Sequence, residues 1–193
     1  VLVGWGLARS RREIRAILLK VAILVMAQVL VNISGSHLFD PLTPGVLSLI
    51  AILILTSGLW LPITRIEYND KPIWLIPFLI MMILPALISP APLTWSGMVY
   101  TPDFQALVFH LLWDGTYPLF PWLVFAMVGA RLHDLSHIEK GSGHLLSLGV
   151  VLFFFWSGMA YASGTQLAAP SGVAVMTFFP ANLPFITTSL TCV

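Results

Sequence analysis

From Ala16 to Ile33 the chain reads AILLKVAILVMAQVLVNI, with one charge, Lys20, and neither proline nor glycine. A run of this length matches the ~30 Å hydrocarbon core of a bilayer at ~1.5 Å per helical residue. Inside lipid every backbone N–H and C=O must be satisfied within the segment, which leaves a helix as its form. Lys20 lies one turn in and can carry its ammonium back to the polar side along its own methylenes.

The pattern recurs. Gly45–Leu61 is apolar up to Pro62, and Ile73–Ile88 is apolar with Pro77 and Pro85, which predict kinks. Pro118–Leu132 and Leu145–Tyr161 complete the set, the FFFW of Phe153–Trp156 reading as lipid-facing bulk. Only 9% of residues are charged and 58% are hydrophobic, against roughly 25% charged in soluble domains. We therefore expect an all-α, polytopic transmembrane helical bundle of five to seven spans, forming one domain over 1–193 with the lipid bilayer as its first partner. Val1–Leu7 resembles the tail of a preceding span. Val1 in place of methionine, and a last stretch, LPFITTSLTCV, that stops soon after a helix begins, suggest a chain cropped at both ends rather than one with a signal peptide. Ala106–Trp113 reads as a short helix in the interface. Ala162–Ala181 mixes apolar and turn residues, and its form stays open.

The charges orient the bundle. With Arg9, Arg11, Arg12 and Arg15 placed in the cytoplasm, alternating spans put Arg65, Lys71, Arg131 and Lys140 there too, while the loops at 34–44, 89–105 and 162–172 hold no Lys or Arg. Short loops rich in Lys and Arg stay inside, so a bacterial inner membrane with a cytoplasmic basic cluster is the expectation. The net charge of +1 leaves no basic patch able to attract nucleic acid. Cys192 is alone, which excludes an intrachain disulfide and a cysteine metal site.

The span from Pro118 organises the rest. Prolines are tolerated in a first helical turn, where the amides have no partner, and Tyr117 and Trp122 suit the headgroup level. His110, Asp114 and Tyr117 gather at its start. A histidine beside a carboxylate is the usual pair for general-base work, because the acid fixes the ring and stabilises its cation. The simpler reading is that Asp114 caps the coming helix and that His110 is an interfacial residue. His37 and Asp40 form a second pair, better read as a solvated loop with Asp40 at a turn before Pro41. We expect no metal, since no third and fourth ligand converge. Gln28 and Asn32, at i and i+4, would hydrogen-bond to a neighbouring helix or line a cavity. The cluster of Arg9, Arg11, Arg12 and Arg15 is explained by topology, with a phosphate-binding role toward a nucleotide-bearing cofactor as the alternative. No Gly-rich phosphate loop, Gly-x-Ser-x-Gly elbow or zinc signature occurs.

The segment TYPLFPWLVFAMVGARL, Thr116–Leu132, resembles the Tyr-x-Pro-Leu-x-Pro-Trp–apolar–Gly segment of bacterial relatives of heparan-α-glucosaminide N-acetyltransferase, a group of inner-membrane proteins more distantly similar to other transmembrane acyltransferases. TPGVLSLIAILIL, Thr43–Leu55, resembles the family's Pro-Gly-Val-Leu segment, and FPANLPFITTSL, Phe179–Leu190, its proline-rich lead-in to a later helix. One departure stands out: Ser48 and Leu49 replace the family's polar Gln-Arg pair. The resemblance implies transfer of an acyl group from a cytoplasmic thioester such as acetyl-CoA, a co-substrate and not a covalently bound cofactor, to a sugar or glycan-like acceptor outside. It also implies a catalytic histidine in an outer loop that would fall upstream of Val1. The alternative class is a transporter or a non-enzymatic scaffold. Acids inside the spans would favour a proton-coupled transporter, and none is present in them. Oligomeric state is not legible.

Overall fold

The computed structural model describes residues 1–9, 13–66, 76–77, 79–80, 83, 87, 94–135, 142–179 and 181–191, and only the backbone of 135 and 142–146. The expected third span, Ile73–Ile88, lies outside the described residues except for Ile76, Pro77, Leu79, Ile80, Ile83 and Leu87, all helical. Arg11, Arg12, Lys71, Lys140 and Cys192 also lie outside them.

The chain is mostly helical. In order come α1 (Leu2–Arg9), α2 (Ile14–Ser34), α3 (Val46–Leu55), α4 (Ser57–Ile63), α5 (Trp95–Val99) and α6 (Phe104–Phe109). A π-helical turn (His110–Asp114) leads on to α7 (Leu119–Leu135) and α8 (Ser142–Ser163). Strands β1 (Gln166–Ala169) and β2 (Ala174–Thr177) precede α9 (Leu183–Leu190). Among the described residues α2 is the one unbroken helix long and apolar enough to cross a membrane. Its outward face is bare: Leu18, Leu19, Ile23, Met26 and Leu30 are all exposed.

Gly45–Leu61, read from sequence as one span, is two helices bent by 73° at Thr56. Hydroxyls explain the break, since Ser and Thr that bond back to preceding carbonyls bend helices. Thr56 Oγ1 donates to Ile52 O at 2.6 Å and Ser57 Oγ to Ile54 O at 2.7 Å. The Leu53 carbonyl at the bend accepts from the Trp60 indole N–H at 3.0 Å, so this carbonyl keeps a partner in the apolar interior. Pro62 does not end the helix but lies inside α4.

α7 is the element around which the others pack. Leu119, Leu123, Ala126, Met127 and Ala130 recur at helical spacing on one face and form the main core with Leu49 and Leu53 of α3 and Trp60 and Leu61 of α4. Val124, on another face, packs against Ala181 and Ile186. The regular helix starts after Phe120, whose backbone is extended, and the Phe120–Pro121 peptide is cis. α1 crosses α7 closely: Val1 lies beside Gly129 and Gly4 beside Ala126, so locally the two run in opposite directions.

The stretch left open by the sequence resolves into structure, and it is not all helical. α8 ends with Thr165 N–H donating to Ala160 O and Gly164 N–H to Tyr161 O, the double bond of a Schellman cap, with Gly164 at a positive φ of 66°. β1 and β2 then pair in parallel, with Gln166 opposite Ala174. Asn182 fastens β2 to α9: its Oδ1 accepts from Thr177 N and Phe185 N, each at 3.1 Å, and its Nδ2 donates to Val175 O at 2.9 Å.

Candidate functional site

One end of the bundle is sewn together by polar groups. Asn32 is buried near the end of α2 and donates through Nδ2 to Pro41 O at 3.0 Å and Thr43 O at 2.7 Å. Gln28 donates to Asn32 Oδ1 at 2.9 Å and accepts from Leu47 N at 3.2 Å. The pair therefore hydrogen-bonds across to the loop before α3 and to its first turn. In that loop Thr43 N–H closes on Asp40 O across Pro41, a turn with proline in its favoured second position. His37 is exposed, and Asp40 Oδ2 accepts from Thr101 N at 2.8 Å. The two residues that share a sequence motif thus serve different surroundings. The Thr43 hydroxyl reaches Val99 O, and the Thr116 hydroxyl reaches Pro44 O at 3.0 Å.

At the centre of this end, His110 and Asp114 face each other on adjacent turns. Phe104–Phe109 starts cleanly because Asp103 accepts from Ala106 N at 2.8 Å, and the following π-helical turn brings His110 Nδ1 to 2.7 Å from Asp114 Oδ1. His110 Nε2 lies 3.0 Å from the Tyr100 carbonyl oxygen. Both residues are only 7% exposed. The Asp114 carboxylate is thus directed at a histidine, where the sequence alone favoured a helix cap. Gly115 is required by the turn: its N–H donates to His110 O at 3.0 Å, and a Cβ there would lie 2.3 Å from that oxygen.

The arrangement favours the charged ring. Each ring nitrogen faces an oxygen that can only accept, and only an imidazolium carries N–H on both nitrogens. Accordingly the Asp114 carboxylate, aided by the Tyr100 carbonyl and opposed by burial, holds the His110 imidazole above its ordinary value. With both nitrogens bonded inside the protein, the ring presents no lone pair outward to act as a base in this conformation.

Tyr117 and Trp122 sit in an aromatic cluster rather than standing singly. Tyr117 meets Trp122, Phe178 and Phe179 at ring-centroid distances of 5.5, 6.0 and 5.3 Å, and Trp122 meets Phe178 at 5.2 Å. Burial pushes the Tyr117 phenol up, so it stays a neutral hydroxyl. At the opposite end of α7, Arg65 clamps Asp134 through two bonds of 2.8 and 2.9 Å. The loop after α4 and the end of α7 therefore share one end of the bundle, away from His110. Of the basic cluster, Arg9 and Arg15 are exposed. Among the described residues no group of three or more His, Cys, Asp or Glu could hold a metal.

Fold and site together define a mostly helical protein with a membrane-length helix and a buried, doubly bonded histidine at one end of its central helix. Compared with known proteins, the chain matches no family model, no curated protein and no solved structure.

Proposed function

We propose that the chain is a polytopic membrane protein serving acyl transfer. In this reading α2, α3 with α4, α7 and α8 cross the bilayer, and the helix of 104–114, about 16 Å long at ~1.5 Å per residue, lies in the interface. The acyl group moves from an acyl-CoA-type donor on the Arg65 side to a glycan-like acceptor at the His110 end. The observation that carries the reading is the buried His110–Asp114 pair, adjoining Thr116–Leu132, the segment of the acyltransferase resemblance. An ionisable pair buried in an apolar protein is costly and is kept for a task. In the transfer an acceptor hydroxyl or amine attacks the thioester carbonyl, the carbon–sulfur bond breaks, and the thiolate takes up the proton that the nucleophile loses. A fixed imidazolium at the acceptor end would orient the acceptor through its charge.

The second reading, a transporter or non-enzymatic scaffold in the same membrane, is favoured by the occupied ring: both His110 nitrogens are bonded inside the protein. Asp114→Asn separates the two. Asparagine can still accept from His110 but lacks the charge, so stability falls with the lost partner of a buried ring, and with labelled acetyl-CoA and a glycan acceptor the transfer per folded molecule of the full-length protein falls by about 10²-fold or more, as loss of a charge-orienting group does. Unchanged transfer per folded molecule removes Asp114 from the chemistry and leaves the scaffold reading. Topology is checked separately by cysteine labelling of intact cells at Thr94 and at Ser142. Thr94 is expected to react, and reaction at Ser142 alone overturns the orientation.

A further inference from the structure

Residues 98–101, the end of α5 and the link that leads toward α6, are held over the His110 end by three anchors from two parts of the chain, the loop before α3 and the π-helical turn. The Thr43 hydroxyl donates to Val99 O from the loop before α3. Asp40 Oδ2, from the same loop, accepts from Thr101 N at 2.8 Å. His110, from the π-helical turn, reaches Tyr100 O with Nε2 at 3.0 Å. Within the segment Met98 and Thr101 are buried, 0% and 4% exposed, whereas Tyr100 is 65% exposed.

We propose that residues 98–101 form a strap that closes over this end of α7 when His110 is protonated and lifts when His110 is neutral, making the site a proton-gated one. The inference concerns the mouth named above but does not depend on acyl transfer. A neutral imidazole has one N–H and one lone pair. The carboxylate of Asp114 is the stronger acceptor and keeps the proton on Nδ1, so the lone pair of Nε2 is turned on the Tyr100 carbonyl oxygen. Two lone pairs then oppose each other at 3.0 Å, and the middle anchor is lost. The neighbouring carboxylates do not restore it: Asp40 bonds the strap at Thr101, and Asp103 accepts from Ala106 N. The sign follows: the closed state binds the extra proton, so closure is fully present below the ordinary imidazole value of about 6.5 and is lost as pH rises through the higher value that His110 has when closed.

The test uses the full chain with Cys192→Ser, and compares thiol labelling of Thr101→Cys, nearly isosteric and buried, with Tyr100→Cys, exposed and retaining the carbonyl. Taking the ratio of the two rates removes the intrinsic rise of thiolate with pH. The ratio is expected to be flat below about pH 6.5, to rise up to about tenfold per pH unit above it, as release of one proton requires, and then to level off. In His110→Gln the ratio is expected to be flat throughout. A flat ratio with His110 intact overturns the proposal, as does a rise that persists in His110→Gln or one confined to the carboxylate range near pH 4. Val124→Cys, in the core of α7, serves as the check on global unfolding, and parallel labelling there also overturns it. Should Thr101→Cys fail to fold, Met98→Cys gives the same readout.

Discussion

Gly115→Ala tests the geometry of the site most directly. Gly115 is extended, with φ −73° and ψ −173°, a conformation open to alanine, so any cost is steric. The added Cβ would lie 2.3 Å from His110 O and 2.9 Å from its carbonyl carbon, where real Cβ contacts are not shorter than 3.0 Å. The carbonyl must therefore retreat by about 0.7 Å. It cannot do so freely, because it accepts from Gly115 N–H at 3.0 Å, and an equal stretch takes that bond beyond hydrogen-bonding range. Losing a backbone bond costs about 1 kcal/mol, and overpacking a site that cannot yield costs about 1–3 kcal/mol more. We expect Gly115→Ala to destabilise the protein by about 2–4 kcal/mol, read as a loss of roughly 5–15 °C in Tm by tryptophan fluorescence in detergent. Gly158→Ala is the control: nothing lies within 4 Å of its Cβ, and alanine favours the helix by up to about 1 kcal/mol. If Gly115→Ala unfolds within about 0.5 kcal/mol of wild type, the tight π-helical turn is wrong and the His110–Asp114 distance loses its support.

Two further substitutions test the fold. Trp60→Phe removes the donor to Leu53 O and puts a smaller ring in a buried site; the unsatisfied carbonyl costs about 1–3 kcal/mol and the vacated space adds to it, so a change under about 0.5 kcal/mol by the same assay would show that the bend at Thr56 needs no such support. Asn182→Ala removes the cap of α9 and both bonds to β2, an expected loss of about 2 kcal/mol or more, with protease sensitivity appearing first between Gly164 and Asn182. Uniform sensitivity along the chain would refute the local role of Asn182.

The helical character was legible because it rests on apolar run length: α2 agrees with the first expected span, and α8 contains the helix expected over Leu145–Tyr161, while among the described residues only α2 is an unbroken helix long and apolar enough to cross a membrane. The importance of the Pro118–Leu132 stretch was also legible, since α7 is buried on two faces. The bend at Thr56 was not: its cause is two adjacent hydroxyls turned back on the helix, and a Thr-Ser pair inside an apolar run looks like ordinary filler until the carbonyls are followed. The β1–β2 pair escaped for a different reason, as four-residue strands carry too few positions to show a period. At the site, His110 and Asp114 could be found from their i, i+4 spacing, which puts them on one face of a helix. Tyr100 could not, because it takes part through its backbone carbonyl, which every residue has. The direction of α1 against α7 likewise depends on a crossing that no composition encodes.

That crossing makes α1 an unusual tenant of the bundle. Where Gly4 meets Ala126 and Gly129 meets Val1, backbone touches backbone, so these two contacts freeze no side-chain rotamers and incur none of the entropy that side-chain contacts lose. In a lipid setting, where apolar surface alone gives helices no reason to associate, such close approach is what holds them together. Val3, Leu7 and Ala8 add packing against the core and Trp5 meets His133 edge-on at 5.2 Å, but at the crossing itself the grip depends on interaxial distance. One methyl at Gly4 would meet Ala126 O at 1.8 Å, and because no side chain can rotate to relieve it, the whole helix would have to move away at once.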